Sequence, residues 1–156
     1  MTNASHRFLG MIVVGAGALA LIAYSGVRTS GRAADDAAAN KPLRVVVHVN
    51  FADPTRHDGG LKNIANILKD VANSPGTEIE VVCHSAGIAL VVQKESKYPD
   101  EVAGLIKKGV RFVACRNTMR QRNLKPEDLL SDVGTVPSGA VEVIRRQQAG
   151  FAYFKP

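Results

Sequence analysis

Apolar residues in this chain fall into short runs separated by polar connections marked with glycine and proline. LRVVVHVN, at 43–50, is rich in β-branched residues and predicts a strand buried on both faces. FADPTRHDGG follows as a loop. Leu61, Ile64, Ala65, Leu68, Val71 and Ala72 recur at helical spacing and predict a helix that starts near Asp58 as N-cap and closes at Ser74-Pro75-Gly76. EIEVVCH, at 78–84, predicts a second strand, with a tight turn at Ser85-Ala86-Gly87 leading into 88–93. Pro99 opens another helix, with Asp100 and Glu101 in its first turn and Gly109 at its end. Residues 110–115 form a third apolar run, and a polar, helix-compatible segment follows to Asn123. A helical turn at 126–130 and a brief fourth strand at 133–136 come next. Ser138 then caps a helix to about Ala149, Gly150 ends it, and 151–154 reads as a last strand. Strands alternating with helices imply βαβ units. The fold class is therefore α/β: three layers, α/β/α, around a mostly parallel five-stranded sheet, preceded by an N-terminal apolar helix.

That N-terminal helix is read from residues 8–27, FLGMIVVGAGALALIAYSGV, which carry no charge over a length able to span a bilayer. Two readings compete for 1–28. One is a signal peptide, with Ala23-Tyr24-Ser25 as a small-x-small cleavage signal before Gly26. The other is an uncleaved anchor, whose orientation Arg28 and Arg32 leave without a clean charge bias. Export, periplasmic or anchored to the membrane facing outward, is the expectation, against the alternative of a cytoplasmic face. Residues 29–42, TSGRAADDAAANKP, are a small, polar linker, and the folded domain spans 43–156.

Composition narrows the function classes. The chain has 156 residues, enough for one folded domain, and its 46% apolar fraction supplies a core without disulfide scaffolding. Aromatics make up only 5%, with no tryptophan, which argues against stacked bases, and no nucleic-acid motif is visible. Charge is uneven. From Leu43 to Gly104 there are six Lys/Arg against eight Asp/Glu, and from Leu105 to Pro156 ten against four. The basic half favours anionic partners.

Cys115 lies in that half, at the end of the third apolar run, with Arg116, Arg120 and Arg122 close behind it. A reactive thiol needs a stabilised thiolate, and helix N-terminal N–H groups with nearby guanidinium groups lower a cysteine pKa. The competing reading is a half-buried structural cysteine beside a solvated basic turn. Functional groups of open α/β sheets gather at the carboxyl ends of strands, where Asn50, His84 and Cys115 all fall. His84 is the candidate proton partner, against the commoner reading of a hydrogen-bonded structural histidine, and His48, inside the first strand, reads as structural as well. The spacing of His48, Cys83, His84 and Cys115 matches no metal-ligand pattern, so no metal is assigned, and no cofactor motif is found. Asp58-Gly59-Gly60 lacks a phosphate-binding lysine and reads as a capped turn.

Four stretches together, VVVHVNFADP (45–54), GGLKNIANIL (59–68), VRFVACRNTM (110–119) and VPSGAVEVIRRQQAGFAYFKP (136–156), resemble the DsrE/DsrF-like family of small α/β proteins of sulfur metabolism. The closing stretch is similar to that of the exported DsrE-like subgroup. The resemblance implies a sulfur carrier or sulfurtransferase-like protein that accepts sulfane sulfur as a persulfide on Cys115, ahead of the arginine-rich segment that holds Arg116 and Arg120. It implies a small sulfur anion or sulfur-donor protein as partner, a homo-oligomer (trimer or hexamer), and contact of the N-terminus with a membrane. It also implies the strand order 4-3-2-1-5, which makes the second and third strands neighbours, and the sulfurs of Cys83 and Cys115 are then expected to be opposed or staggered. Two other readings stand beside the carrier. One is a non-catalytic oligomeric interaction module; the other is a thiol–disulfide redox protein using Cys83 and Cys115.

Overall fold

The computed structural model describes residues 41–72 and 74–156. The apolar helix expected over 8–27, and with it the choice between signal peptide and anchor, lies outside them. Eleven elements follow in chain order: β1 (Arg44–Val49), α1 (Pro54–Asp70), β2 (Glu78–Cys83), a 3-10 segment (Ser85–Val91), α2 (Pro99–Lys107), β3 (Arg111–Cys115), α3 (Arg116–Gln121), a 3-10 turn (Pro126–Asp128), β4 (Gly134–Val136), α4 (Gly139–Gln148) and β5 (Ala152–Phe154). The five strands form one sheet ordered β4-β3-β2-β1-β5, and every pairing is parallel.

The first helix begins one turn earlier than the pattern predicted. Its N-cap is Asp53, not Asp58: the Asp53 carboxylate accepts from the backbone N–H groups of Thr55 and Arg56, and Pro54 starts the helix. Pro54 loses nothing there, because its missing N–H would have no intrahelical acceptor. Gly59 and Gly60, which suggested a turn, lie inside the helix. A Cβ at Gly60 would sit 3.0 Å from the Pro156 ring, a contact tight enough that the ring would have to shift slightly.

Strand order decides which face each helix covers. From β1 to β4 the chain steps in one direction across the sheet, and right-handed crossovers keep the intervening helices on one face. From β4 to β5 it steps back past β1, so the same handedness places α4 on the opposite face. The two cores record this division. The larger joins Val45, Val47, Val49, Val81, Cys83 and Phe112 to residues of α1, the 3-10 segment, α2 and α3. The smaller contains only Val46, Val82, Val113, Val136, Val143 and Phe151. One ten-residue helix is thus the main cover of the second face, and side chains at its carboxyl edge remain accessible.

Near the opposite edge of that face, Glu80 is buried between two arginines. Arg146 Nη2 donates to its Oε2 at 2.8 Å and Arg111 Nε lies 3.1 Å from the same oxygen. Burial pushes the Glu80 carboxyl up, against the pull of Arg111 and Arg146. This cluster anchors the end of α4, because Arg146 also bonds Glu142 at 2.8 Å.

Candidate functional site

Side chains alternate across a strand, so register alone gathers the site. Val82 pairs with Val113 and Cys83 with Ala114. Cys115 therefore shares a face with Val113 and Val82, the face of the smaller core, whereas Cys83 points into the larger one. The two thiols occupy neighbouring strands on opposite sides of the sheet, and both are free. His48 and His84 follow Val46 and Val82 by two residues and emerge on the same face as Cys115.

Cys115 is the N-cap of α3 and is 4% exposed. Burial by itself would raise its pKa. Four donors outweigh that: the backbone N–H groups of Gly139, Thr118 and Asn117, and the Thr118 hydroxyl. Their combined effect holds the thiol below the ordinary cysteine range, because N–H and O–H groups near the sulfur favour its charged form. Cys83 has no such help, and burial pushes its thiol up.

The arginine cluster expected to lower this thiol is not what does so. Arg116 and Arg120 are exposed, and the Arg120 guanidinium turns to the side-chain oxygen of Asn117. Arg122 is held by both carboxylate oxygens of Glu95, at 2.8 and 3.0 Å. Their charge remains at the rim of the site, while backbone geometry acts on the sulfur.

All four donors come from residues the sequence reading passed over. Thr118 follows Cys115 by three residues, so one turn of helix brings its hydroxyl back to the cap. The same hydroxyl oxygen accepts the Ser85 backbone N–H at 2.9 Å, which locks it in place. Gly139 is the first residue of α4, where a backbone N–H has no intrahelical acceptor. It must be glycine: a Cβ would lie 2.8 Å from His84 Cβ and 3.1 Å from two of its ring carbons.

His84 does not point at the sulfur. Its Nε2 lies 2.6 Å from His48 Nε2 and its Nδ1 lies 2.9 Å from Ser85 Oγ. His48 continues the row, with Nδ1 2.7 Å from the Tyr153 hydroxyl. His48, expected to be structural, is thus part of the constellation, and the alternation of β1 was the signal that placed it there. Burial, the neighbouring His84 and Lys155 lower the His48 pKa to about 4, and burial and Lys155 lower that of His84. Ser85 adopts a left-handed backbone with φ of 52°, a conformation uncommon outside glycine that is held here by these contacts.

A cleft of about 380 Å³ opens beside Ser85 and Thr118 and is lined also by Ala52, Ala86, Gln121 and Arg122. A groove of about 290 Å³ between α1 and α2 is on the other side of the sheet, away from this thiol. Among the described residues no group of three or more His, Cys, Asp or Glu side chains is arranged to hold a metal ion, and no helix is long and apolar enough to cross a membrane.

The DsrE/DsrF-like family profile matches residues 45–156, which is most of the chain. The protein belongs to the DsrE/DsrF-like family. It is similar to the solved structure of MTH1491, a protein of unknown function from Methanobacterium thermoautotrophicum, with 37% identity and a TM-score of 0.67 over 73% of this chain and 99% of that one. The ychN protein from E. coli shares the fold at 12% identity, with a TM-score of 0.56 over the same shares of the two chains. No curated protein matches.

The Thr118 contact is testable in this family member. Thr118→Val keeps the side-chain shape but removes the hydroxyl donor, so the thiolate loses one charge-assisted bond and the thiol becomes less acidic. Alkylation of Cys115 at pH 6 should slow roughly tenfold, with the rate recovering at high pH where the sulfur is ionised in both proteins. A rate equal to wild type across the whole pH range would remove the hydroxyl from the account.

Proposed function

We propose that this DsrE/DsrF-like protein is a sulfur carrier that accepts sulfane sulfur on Cys115 as a persulfide and passes it to an acceptor thiol. The observation that carries this reading is the set of four hydrogen-bond donors around a cysteine at a strand's carboxyl end. Such donors favour the thiolate that must attack. Arg116 and Arg120 at the rim suit a small sulfur anion or an acidic sulfur-donor protein arriving at the basic half of the chain. Mass spectrometry of the full-length protein after exposure to a small-molecule persulfide is the test. Cys115 should gain the mass of one sulfur, reversibly by added thiol; an unmodified Cys115 beside an intact donor would sink the carrier reading.

One observation favours the interaction-module reading: Cys115 is only 4% exposed, and α4 carries Val141 and Ile144 at 41% and 53% exposure. Carrier and assembly are compatible, and the proposal includes a homo-oligomer, a trimer or hexamer, in which this α4 face is covered. Ile144→Asp should then shift the protein to smaller species in sedimentation velocity, without changing Cys115 alkylation. Wild-type protein that sediments only as monomer at micromolar concentration would refute the assembly. The redox reading is the weakest of the three, because the register aims Cys83 and Cys115 to opposite sides of the sheet. The apolar stretch at 8–27 supports export, with the domain periplasmic or held at the membrane facing outward.

A further inference from the structure

We infer that Tyr153, His48, His84 and Ser85 form a reversible proton relay from the protein surface to the Cys115 site. The inference rests on the sulfur-carrier reading for its purpose and on the hydrogen-bond geometry for its existence. The four side chains make three consecutive contacts: Tyr153 hydroxyl to His48 Nδ1 at 2.7 Å, His48 Nε2 to His84 Nε2 at 2.6 Å, and His84 Nδ1 to Ser85 Oγ at 2.9 Å. Tyr153 is 45% exposed and forms the wet end. Ser85, itself exposed, forms the end that borders the cleft beside Thr118, and its own N–H is bound by the Thr118 hydroxyl oxygen.

Two nitrogens 2.6 Å apart must share one proton, so one imidazole donates and the other accepts. That single choice orients the whole row. In the first orientation Tyr153 donates to His48, His48 to His84, and His84 to Ser85. In the second, every donor becomes an acceptor. Both satisfy all three contacts with both rings neutral, and burial together with Lys155 keeps the rings from charging. Moving one proton inward along the row converts the first orientation into the second, and moving one outward restores it.

Sulfur transfer calls for these two movements in turn. On loading, the Cys115 thiolate attacks the outer sulfur of a persulfide R–S–SH. The new bond is Cys115–S–SH, the R–S to sulfur bond breaks, and R–S⁻ leaves with the electron pair. Ser85 supplies the proton that turns it into R–SH, and the vacancy passes outward until Tyr153 takes a proton from water. On unloading, an acceptor thiol gives its proton to Ser85, the row carries one proton out, and the acceptor thiolate takes the outer sulfur and leaves Cys115 as thiolate. No oxidant or reductant is consumed, and one load–unload cycle returns the row to its starting orientation.

Full-length protein labelled with ¹⁵N on histidine tests the relay without any sulfur donor. Exchange between two orientations predicts that the ring nitrogens of His48 and His84 resonate between donor and acceptor values at pH 7. Both rings locked in one tautomer, or either ring charged, would overturn the proposal. The second measurement is single-turnover loading from a cysteine persulfide. Tyr153→Phe removes the outer hydroxyl far from the sulfur and should slow loading roughly tenfold and shrink its solvent deuterium isotope effect, while Cys115 alkylation stays at the wild-type rate. Wild-type loading kinetics in Tyr153→Phe would also overturn it. If the wild-type protein takes up no sulfur at all, the carrier reading fails instead, and the ring-nitrogen spectra alone decide the relay.

Discussion

At pH 6, iodoacetamide is expected to modify Cys115 at least about a hundredfold faster than Cys83 in the native protein, because alkylation follows the thiolate fraction and the access of the sulfur. Both terms point the same way. Cys83 is fully buried in the larger core among Val47, Val81 and Ala114, and burial without compensating donors pushes its thiol up. Cys115 is lowered by Gly139, Thr118 and Asn117 and keeps a small exposed area. Cys115→Ser should therefore remove nearly all native-state labelling, and Cys83→Ser almost none. Denaturation equalises the two, since the donors belong to the fold and not to the local sequence. Comparable native rates for the two thiols, measured by peptide mapping, would contradict the site assignment.

The second large effect is expected at Gly87, in the 3-10 segment that follows β2. A Cβ built there would lie 2.3 Å from the Val49 carbonyl oxygen and 2.7 Å from the Asn50 backbone nitrogen. These are backbone atoms at the end of a central strand, which cannot swing aside as a side chain can. Gly87→Ala should lower the unfolding free energy by about 3 kcal/mol or more, beyond the usual overpacking cost. The change reaches the site, because the same Val49 oxygen accepts the His84 backbone N–H at 3.1 Å. Urea denaturation measures the first consequence and the Cys115 alkylation rate the second. A variant within about 0.5 kcal/mol of wild type, the range of an ordinary surface substitution, would show that the 3-10 segment yields more readily than this geometry allows.

The strands were legible because parallel strands buried on both faces consist of little but β-branched residues, as in Val45–Val47 or Val81–Val82. Cys115 at a strand end and His84 at another could be located by the same logic. Less could be read at α1, where residues 51–60 read as a loop although Asp53 caps the helix and both Gly59 and Gly60 are accommodated within it. The agents acting on the sulfur were harder still. Three of the four donors are backbone N–H groups, which every residue but proline carries, so no residue type announces them. The arginines were conspicuous and close in sequence, yet Arg120 and Arg122 engage Asn117 and Glu95. His48 entered only through register, since a one-residue slip would have turned it to the other face.

Gly139 gives the site a schedule. The nucleophile, Cys115, is made early, together with the Asn117 and Thr118 donors that follow it. The remaining donor arrives 24 positions later, on a helix whose far end is fastened through Arg146 to Glu80 on β2. A chain emerging residue by residue therefore carries Cys115 without the Gly139 donor until its last helix has folded back across the sheet. The surroundings of the sulfur are therefore complete only once α4 is in place.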